Sequence, residues 1–473
     1  MTTECSREAF LFHGLGRREI VARFDGGDIS SDAGALLLRE AECATGLIDR
    51  VAACFTDHRD PRFTEHTLEE LLAQRIYGIA LGYEDLVDHD ELRRDPLIAT
   101  LVGKRDLKGQ HRRRASDRGK SLAGKSTLNR LELGGETVEA DEAYKKIVLH
   151  SDLLDRCFVD LFLEAHDEPP GWIEIDLDAT DFPIFGKQED RHFHGYYDHY
   201  CYLPLYIFSG DHLLGARLRP SDIDGAEGSV DDISRIVTQI REAWPEVEIL
   251  VRGDSGFCRD DLMAWCEAHD VLYVLGFAKN NRLRALIEDE MAQARAAFEE
   301  SEAAERVFKD FVYRTRKSWS RERRVVGKAE YLPRGENPRF IVTNLPVGSV
   351  DARQLYEDLY CIRGDMENRI KEQQLDLFAG RMSTHHMRSN QIRLYLASIA
   401  YVLMNALRRI GLAGTELERA QCGTIRSKLL KIGGQVRVSV RKVWVSLSEA
   451  YPYQELFATI YGRLKRHAAL APG

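Results

Sequence analysis

The sequence predicts an α/β multidomain protein: a mixed sheet flanked by helices, interrupted by a β-rich insertion and preceded by a helical N-terminal region. Three observations predict it. The chain has 473 residues, too many for one ordinary core. Apolar residues recur at helical spacing through residues 30–165, and the pattern changes to strand-like alternation after Pro169-Pro170. Beyond that point the patterns follow the order β-β-β-α-β-α-β, as expected of a mixed layer.

Taken in order, residues 1–165 form the helical region. Thr67 and Glu70 have capping-box spacing, and Leu68, Leu71, Leu72, Ile76 and Ile79 then follow the helical period. Residues 103–124 are polar, basic and glycine-containing and read as a loop or arm, with a short helix from Ser126. Residues 166–280 hold the first part of the sheet. Residues 172–178 alternate apolar and acidic side chains, as a half-buried strand does. Strands follow at 200–209 and 212–218, a helix from Ser229, a strand at 248–253, a helix at 259–269 and a strand at 271–277. Residues 281–345 are the insertion, a charged helical stretch followed by strands at 307–313, 324–331 and 339–343. Residues 346–410 return to the core with a long helix over 351–374 and an apolar helix over 392–410. Residues 411–473 form a basic C-terminal region whose valines (Val436, Val438, Val440, Val443, Val445) fit either a strand pair or a helix.

Composition narrows the function. No run of about 18 apolar residues occurs, so no membrane span is expected. The first ten residues are polar and lack a signal core, which points to a cytoplasmic protein. Nine cysteines are scattered singly without a Cys-x-x-Cys pair, so free thiols are expected rather than a zinc ribbon. The net charge of −10 is unevenly spread. From Arg381 onward there are fifteen Lys or Arg and four acids, which leaves about −21 for the rest of the chain. A second basic cluster, residues 104–125, contains Arg112, Arg113, Arg114 and Lys125. Phosphate contacts are local, so an acidic protein with two basic segments can hold DNA.

The chemistry starts from carboxylates. Glu174, Asp176 and Asp178 share one strand face, and a divalent cation is one physical relief for such a row. Asp254 ends a second strand and precedes Ser255-Gly256, at the kind of strand end where α/β sites form. On the long helix, Tyr360, Arg363, Glu367 and Gln374 lie at i, i+3, i+7 and i+14, on one stripe.

These residues carry a resemblance. Asp178-Ala-Thr180, Val251-Arg-Gly-Asp-Ser-Gly-Phe257 and Tyr360-x2-Arg363-x3-Glu367 resemble, in order, the three catalytic motifs of insertion-sequence DDE transposases, the last being the Y-R-E-K signature of one subgroup. Flanking phrases such as Leu203-Pro-Leu205 and Arg381-Met-Ser-Thr384 extend the resemblance over roughly residues 20–410. The chain departs from the signature at Gln374, where the family has Lys; Lys371, one turn after Glu367, is a candidate substitute.

The resemblance implies a ribonuclease-H-like core. It also implies a catalytic and metal-binding set of Asp178, Asp254 and Glu367 holding two Mg2+ ions (Mn2+ may substitute). The reaction would cleave the ends of an insertion sequence and join them to target DNA. The partners it implies are double-stranded DNA, as terminal inverted repeats and as target, and a second copy of the chain on paired ends, in a nucleoid-associated cytoplasmic protein. Tyr360, Arg363, Lys371, Gln374, Arg381 and the Arg112–Lys125 cluster are expected to contact DNA, and Trp319, among five cations in the insertion, to stack on an unstacked base. Packing of that Trp on its own sheet is the alternative. Asp176 and Asp181 remain possible substitutes for Asp178. Two other functions stay open: a transposase-derived DNA-binding protein without catalysis, and a structure-specific nuclease of the same fold.

Two motifs compete. Gly119-x4-Gly124-Lys125-Ser126 matches a P-loop literally, but no buried strand is expected before it. His192, His194, Asp198 and His199 have metal-ligand chemistry, yet sit among aromatics between two expected strands and read as a polar hairpin.

Overall fold

The computed structural model describes residues 9–134 and 145–470. Cys5 and the first eight of the polar N-terminal residues lie outside that range. The eight cysteines within it are free thiols. Contacts divide the chain into two compact units: residues 1–149 with 399–473, and residues 150–398. Among the described residues no helix is long and apolar enough to cross a membrane.

The first unit is mostly helical. Its longest N-terminal-half helix, Leu68–Ala80, opens with the anticipated capping box: Thr67 accepts from Glu70 N, and Glu70 accepts from Thr67 N. Leu71, Leu72 and Ile76 are fully buried along it, each worth about 1.5–3 kcal/mol. The basic tail does not stand apart. Strand Gly434–Val438 pairs with Val443–Leu447 on one side and with Asp28–Ser30 on the other, and a helix, Gln454–Leu470, follows. The valine alternation is therefore a strand pair, because Val436 is buried against Ala33 and Leu97 while Arg437 points outward.

The second unit is built on a nine-stranded mixed sheet. Its main strands are β1 (Trp172–Ala179), β2 (Leu205–Ser209), β3 (His212–Arg217), β4 (Glu248–Gly253), β5 (Leu272–Phe277), β6 (Arg306–Tyr313), β7 (Arg323–Leu332) and β8 (Arg339–Thr343). Their order across the sheet is β3-β2-β1-β4-β5-β8-β7-β6. β1, β2 and β3 are antiparallel neighbours, whereas β4 runs parallel to both β1 and β5. The alternation seen in the sequence sorts the two faces. Ile173, Ile175, Leu177, Ile249 and Val251 pack under helices Ser229–Ala243 and Asp260–Ala268. Leu250, Val274, Val326 and Ile341 on the other face meet Leu355 and Tyr356 at the start of the helical segment 352–376.

Residues 281–345 are the stretch expected as a β-rich insertion. They interrupt the sequence but not the sheet: β8 pairs with β5, β7 with β8 and β6 with β7. An exposed edge at β5 would carry unpaired N–H and C=O groups, and these strands cover it. The 352–376 segment is not a uniform α-helix. It widens to π-type turns over Leu355–Tyr360 and Glu372–Asp376 on either side of the α-helical Gly364–Lys371, a distortion common at functional sites.

Candidate active site

Register brings the first two acids together. β1 and β4 pair Arg252 with Asp176 and Gly253 with Leu177. One residue further along both parallel strands, Asp254 falls beside Asp178. The third acid comes from the covering segment. Asp178 is half-buried, and burial pushes its carboxyl up to about 7, with Asp254 and Glu367 adding to the rise and the Arg363 guanidinium opposing it. One carboxylate thus feels both others. Asp254 is fixed by a tight turn in which Gly256 N donates to its Oδ1 at 2.8 Å, while Glu367 is half exposed, with Lys371 Nζ at 3.9 Å.

The row of acids on β1 is relieved differently from the expectation. Arg252, buried on β4, donates from Nε and Nη2 to the two Asp176 oxygens at 2.6 and 2.9 Å, and its Nη2 lies 3.5 Å from Glu174. Asp176 is thereby committed to an internal ion pair, and Asp181 accepts from or shares a proton with His199 at 2.7 Å. Asp178 is left as the β1 acid facing Asp254. The same arginine donates from Nη1 to the Leu359 carbonyl at 2.9 Å, so one buried side chain ties β1, β4 and the segment that carries Glu367.

On that segment, the Arg363 guanidinium lies 5.8 Å from the Tyr360 ring centroid, and its Nε is buried with no hydrogen-bond acceptor among the described residues. Tyr360 reaches close to Asp254: a Cβ added to Gly276 on β5 would stand 2.6 Å from Tyr360 Oη and 2.8 Å from Ser255 N. Glycine at 276 is what lets the segment approach. Gln374 donates from Nε2 to Thr180 Oγ1 at 3.2 Å, next to the β1 acid.

Other expected site residues lie elsewhere. Trp319 is 4% exposed, with its ring 4.8 Å from Phe277 and 5.9 Å from Tyr313. A ring this buried cannot receive a base, so core packing replaces the expected stacking role. Arg381 is exposed beyond the end of the helical segment. Arg112, Arg113, Arg114 and Lys125 belong to the first unit, where Arg112 spends its donors on His66, Glu65 and the carbonyls of Lys120 and Ser121. Gly124 opens the helix Lys125–Glu132, and no strand directly precedes it, so the P-loop pattern lacks its structural context. The histidine cluster forms the hairpin His192–His194 with His199–Tyr202.

Sequence reasoning missed Arg252, Gly276 and Tyr197. Burial pushes the Tyr197 hydroxyl up to about 12, with Asp181 and Asp178 adding to it, which sets the hairpin beside the site. The signal for Arg252 was available: it stands two residues before Asp254, as Asp176 does before Asp178.

Asp178 and Asp254 near adjacent strand ends of a mixed sheet, with Glu367 on the covering helical segment, are compatible with the class shown by the family match, a DDE transposase. The chain belongs to the family described as Transposase DDE domain group 1, whose model matches residues 12–469. No curated protein matches it. Members of this family act on DNA and generally use divalent metal ions.

Proposed function

We propose that the protein cleaves the ends of an insertion sequence and joins them to target DNA, with Asp178, Asp254 and Glu367 as the catalytic acids. The observation that carries this reading is the parallel register of β1 and β4, which sets Asp254 beside Asp178 at the end of both strands, with the segment bearing Glu367 near enough for that acid to raise the Asp178 carboxyl. The order β3-β2-β1-β4-β5, antiparallel in its first three strands and parallel in the rest, supports a ribonuclease-H-like core. Tyr360, Arg363 and Glu367 support membership of the Y-R-E-K subgroup, with Gln374 in place of its Lys.

The donor set fits Mg2+ or Mn2+: three oxygen-bearing acids, one of them disfavoured as a lone anion by burial and by its neighbours. As placed, no group of three or more His, Cys, Asp or Glu side chains among the described residues already converges on one point; the fit is one of donor chemistry. Asp178, Asp254 and Glu367 would hold the ions. When bound, two such ions activate the attacking oxygen and neutralise the leaving one. The chain's own groups orient the phosphate. Arg363, whose charge is near enough to oppose the rise at Asp178, would supply a cation to the phosphoryl oxygens. Gln374 and Lys371 add donors on the same segment, and Tyr360 closes the Asp254 side. The substrates are terminal inverted repeats and target DNA, held by a homodimer on paired ends, with the N-terminal region and Arg381 contributing DNA contacts.

The test is cleavage and strand transfer of the element's own ends with and without magnesium. Asp178→Asn, Asp254→Asn and Glu367→Gln are each expected to fall to the no-metal level while still binding the DNA. Wild-type cleavage by any of the three would remove that residue from the set. Cleavage without joined product would mark a nuclease instead.

A further inference from the structure

The first unit contains a cavity of 710 Å3 that the catalytic reading leaves unused. Eight Lys or Arg and four Asp or Glu line it, a local excess of positive charge in a chain that is acidic overall. Its wall is fixed. Arg112 is held by His66 at 2.9 Å and by backbone carbonyls, and Arg93 by Asp117 at 3.1 Å. His66, between them, is pushed down to about 2 by burial and by Lys104, Arg112, Arg93 and Arg59, as expected where the field is strongly positive. The helix Lys125–Glu132 starts at this wall, so the positive end of its dipole adds to the field. The Arg93 guanidinium and the Asp90 carboxylate lie against the helix start, 2.8 and 2.9 Å from where a Cβ on Gly124 would stand.

We propose that this cavity is a phosphate site and that its occupant is a stretch of DNA backbone. The proposal rests on the transposase reading and gives its N-terminal region a specific anchoring point. The volume suits a nucleotide-sized group, since pockets for such ligands span about 300–1,000 Å3. The lining favours backbone over a free nucleotide. Its large apolar side chains are Phe63, which is mostly exposed, and the buried Ile147, so no apolar slot encloses a base. Cations that contact phosphate without reading a base fix the position of a protein on DNA rather than its sequence preference.

Arg114 is exposed and Lys146 half-buried at the lining, so glutamine at both opens no internal void. The experiment measures binding of a short duplex by wild type and by Arg114→Gln/Lys146→Gln, without magnesium, across a salt series. Inorganic pyrophosphate and ATP serve as competitors. The expected result is weaker binding and a log–log salt slope shallower by about 2, each lost phosphate contact accounting for roughly 0.9, with an unchanged unfolding temperature. Pyrophosphate and ATP are expected to compete only weakly. An unchanged slope overturns the proposal. So does tight binding of pyrophosphate or ATP that depends on Arg114 and Lys146 and that duplex DNA does not displace, which would assign the cavity to a free polyphosphate. The readout is independent of cleavage. A protein that binds duplex through the cavity but never cleaves sinks the catalytic reading alone, and one that cleaves with an unaltered slope in the variant sinks the cavity alone.

Discussion

Arg252 shows what one buried side chain does for the whole site. It neutralises Asp176, lies near Glu174 and holds the Leu359 carbonyl, so the strands bearing Asp178 and Asp254 and the segment bearing Glu367 share one anchor. Arg252→Met leaves Asp176 charged and buried, and is expected to cost about 3–5 kcal/mol in urea unfolding. Adding Asp176→Leu removes the stranded charge and is expected to recover most of that loss. If the double variant is no more stable than the single one, the ion pair is not what holds these strands. Trp319 makes the opposite case, a residue whose charged neighbours suggested DNA and whose packing gives core. Trp319→Ala is expected to destabilise the protein by about 3–5 kcal/mol; a variant that unfolds at the wild-type temperature would return the ring to the surface.

Among the elements, β5 and the 352–376 segment approach closely at Gly276. Gly276 lets Tyr360 Oη and the Asp254–Ser255 backbone crowd onto one strand position. Gly276→Ala introduces a methyl group 2.8 Å from Ser255 N and 2.6 Å from Tyr360 Oη, so the Asp254–Ser255 backbone must shift and Tyr360 must swing away. The expected outcome is a fold weakened by about 1–3 kcal/mol and a much larger fall in cleavage, because Asp254 is displaced with that backbone. Equal, small losses in both would mean that the π-type turns absorb the methyl group. Those turns matter for a second reason. Tyr360 and Arg363 on one side of Gly364–Lys371 and Gln374 on the other do not follow a single helical period, yet Gln374 still reaches Thr180 at 3.2 Å.

Across the whole molecule, the first unit is the part whose stability should respond to mild acid. His66 and His89 are buried there, and their pKa values are pushed down from 6.5 to about 2 and about 3, first by burial and then by neighbouring cations, Lys104 and Arg112 at His66 and Arg75 at His89. Above pH 6.5 the rings are neutral in folded and unfolded chains alike, and the stability is fully present. As the pH falls, the unfolded chain gains protons that the folded one refuses, so stability is lost. Between pH 6.5 and about 5 the loss should be roughly 2 kcal/mol for each histidine. His89 is fully buried with Gln74 Nε2 at 3.1 Å from its Nδ1, so an acid-induced transition should appear in this unit. Unfolding curves that superimpose at pH 7 and pH 5 would show that neither ring is held neutral by the fold.

Local pattern alone determined the bounds of strands 248–253 and 339–343, the Thr67–Glu70 cap and the alternation that puts Asp178 on a strand, because periodicity and capping are properties of neighbouring residues. It also carried the three motifs whose resemblance pointed to the transposase family. Only the tertiary structure decided which of the β1 acids is neutralised by an internal ion pair, since the partner of Asp176 is 76 residues away on β4. It likewise decided that residues 306–343 continue the main sheet, that Trp319 is core, and that the tail pairs with Asp28–Ser30. Strand pairing, burial and charge neutralisation depend on which distant segments share a surface, and a one-dimensional pattern does not state that.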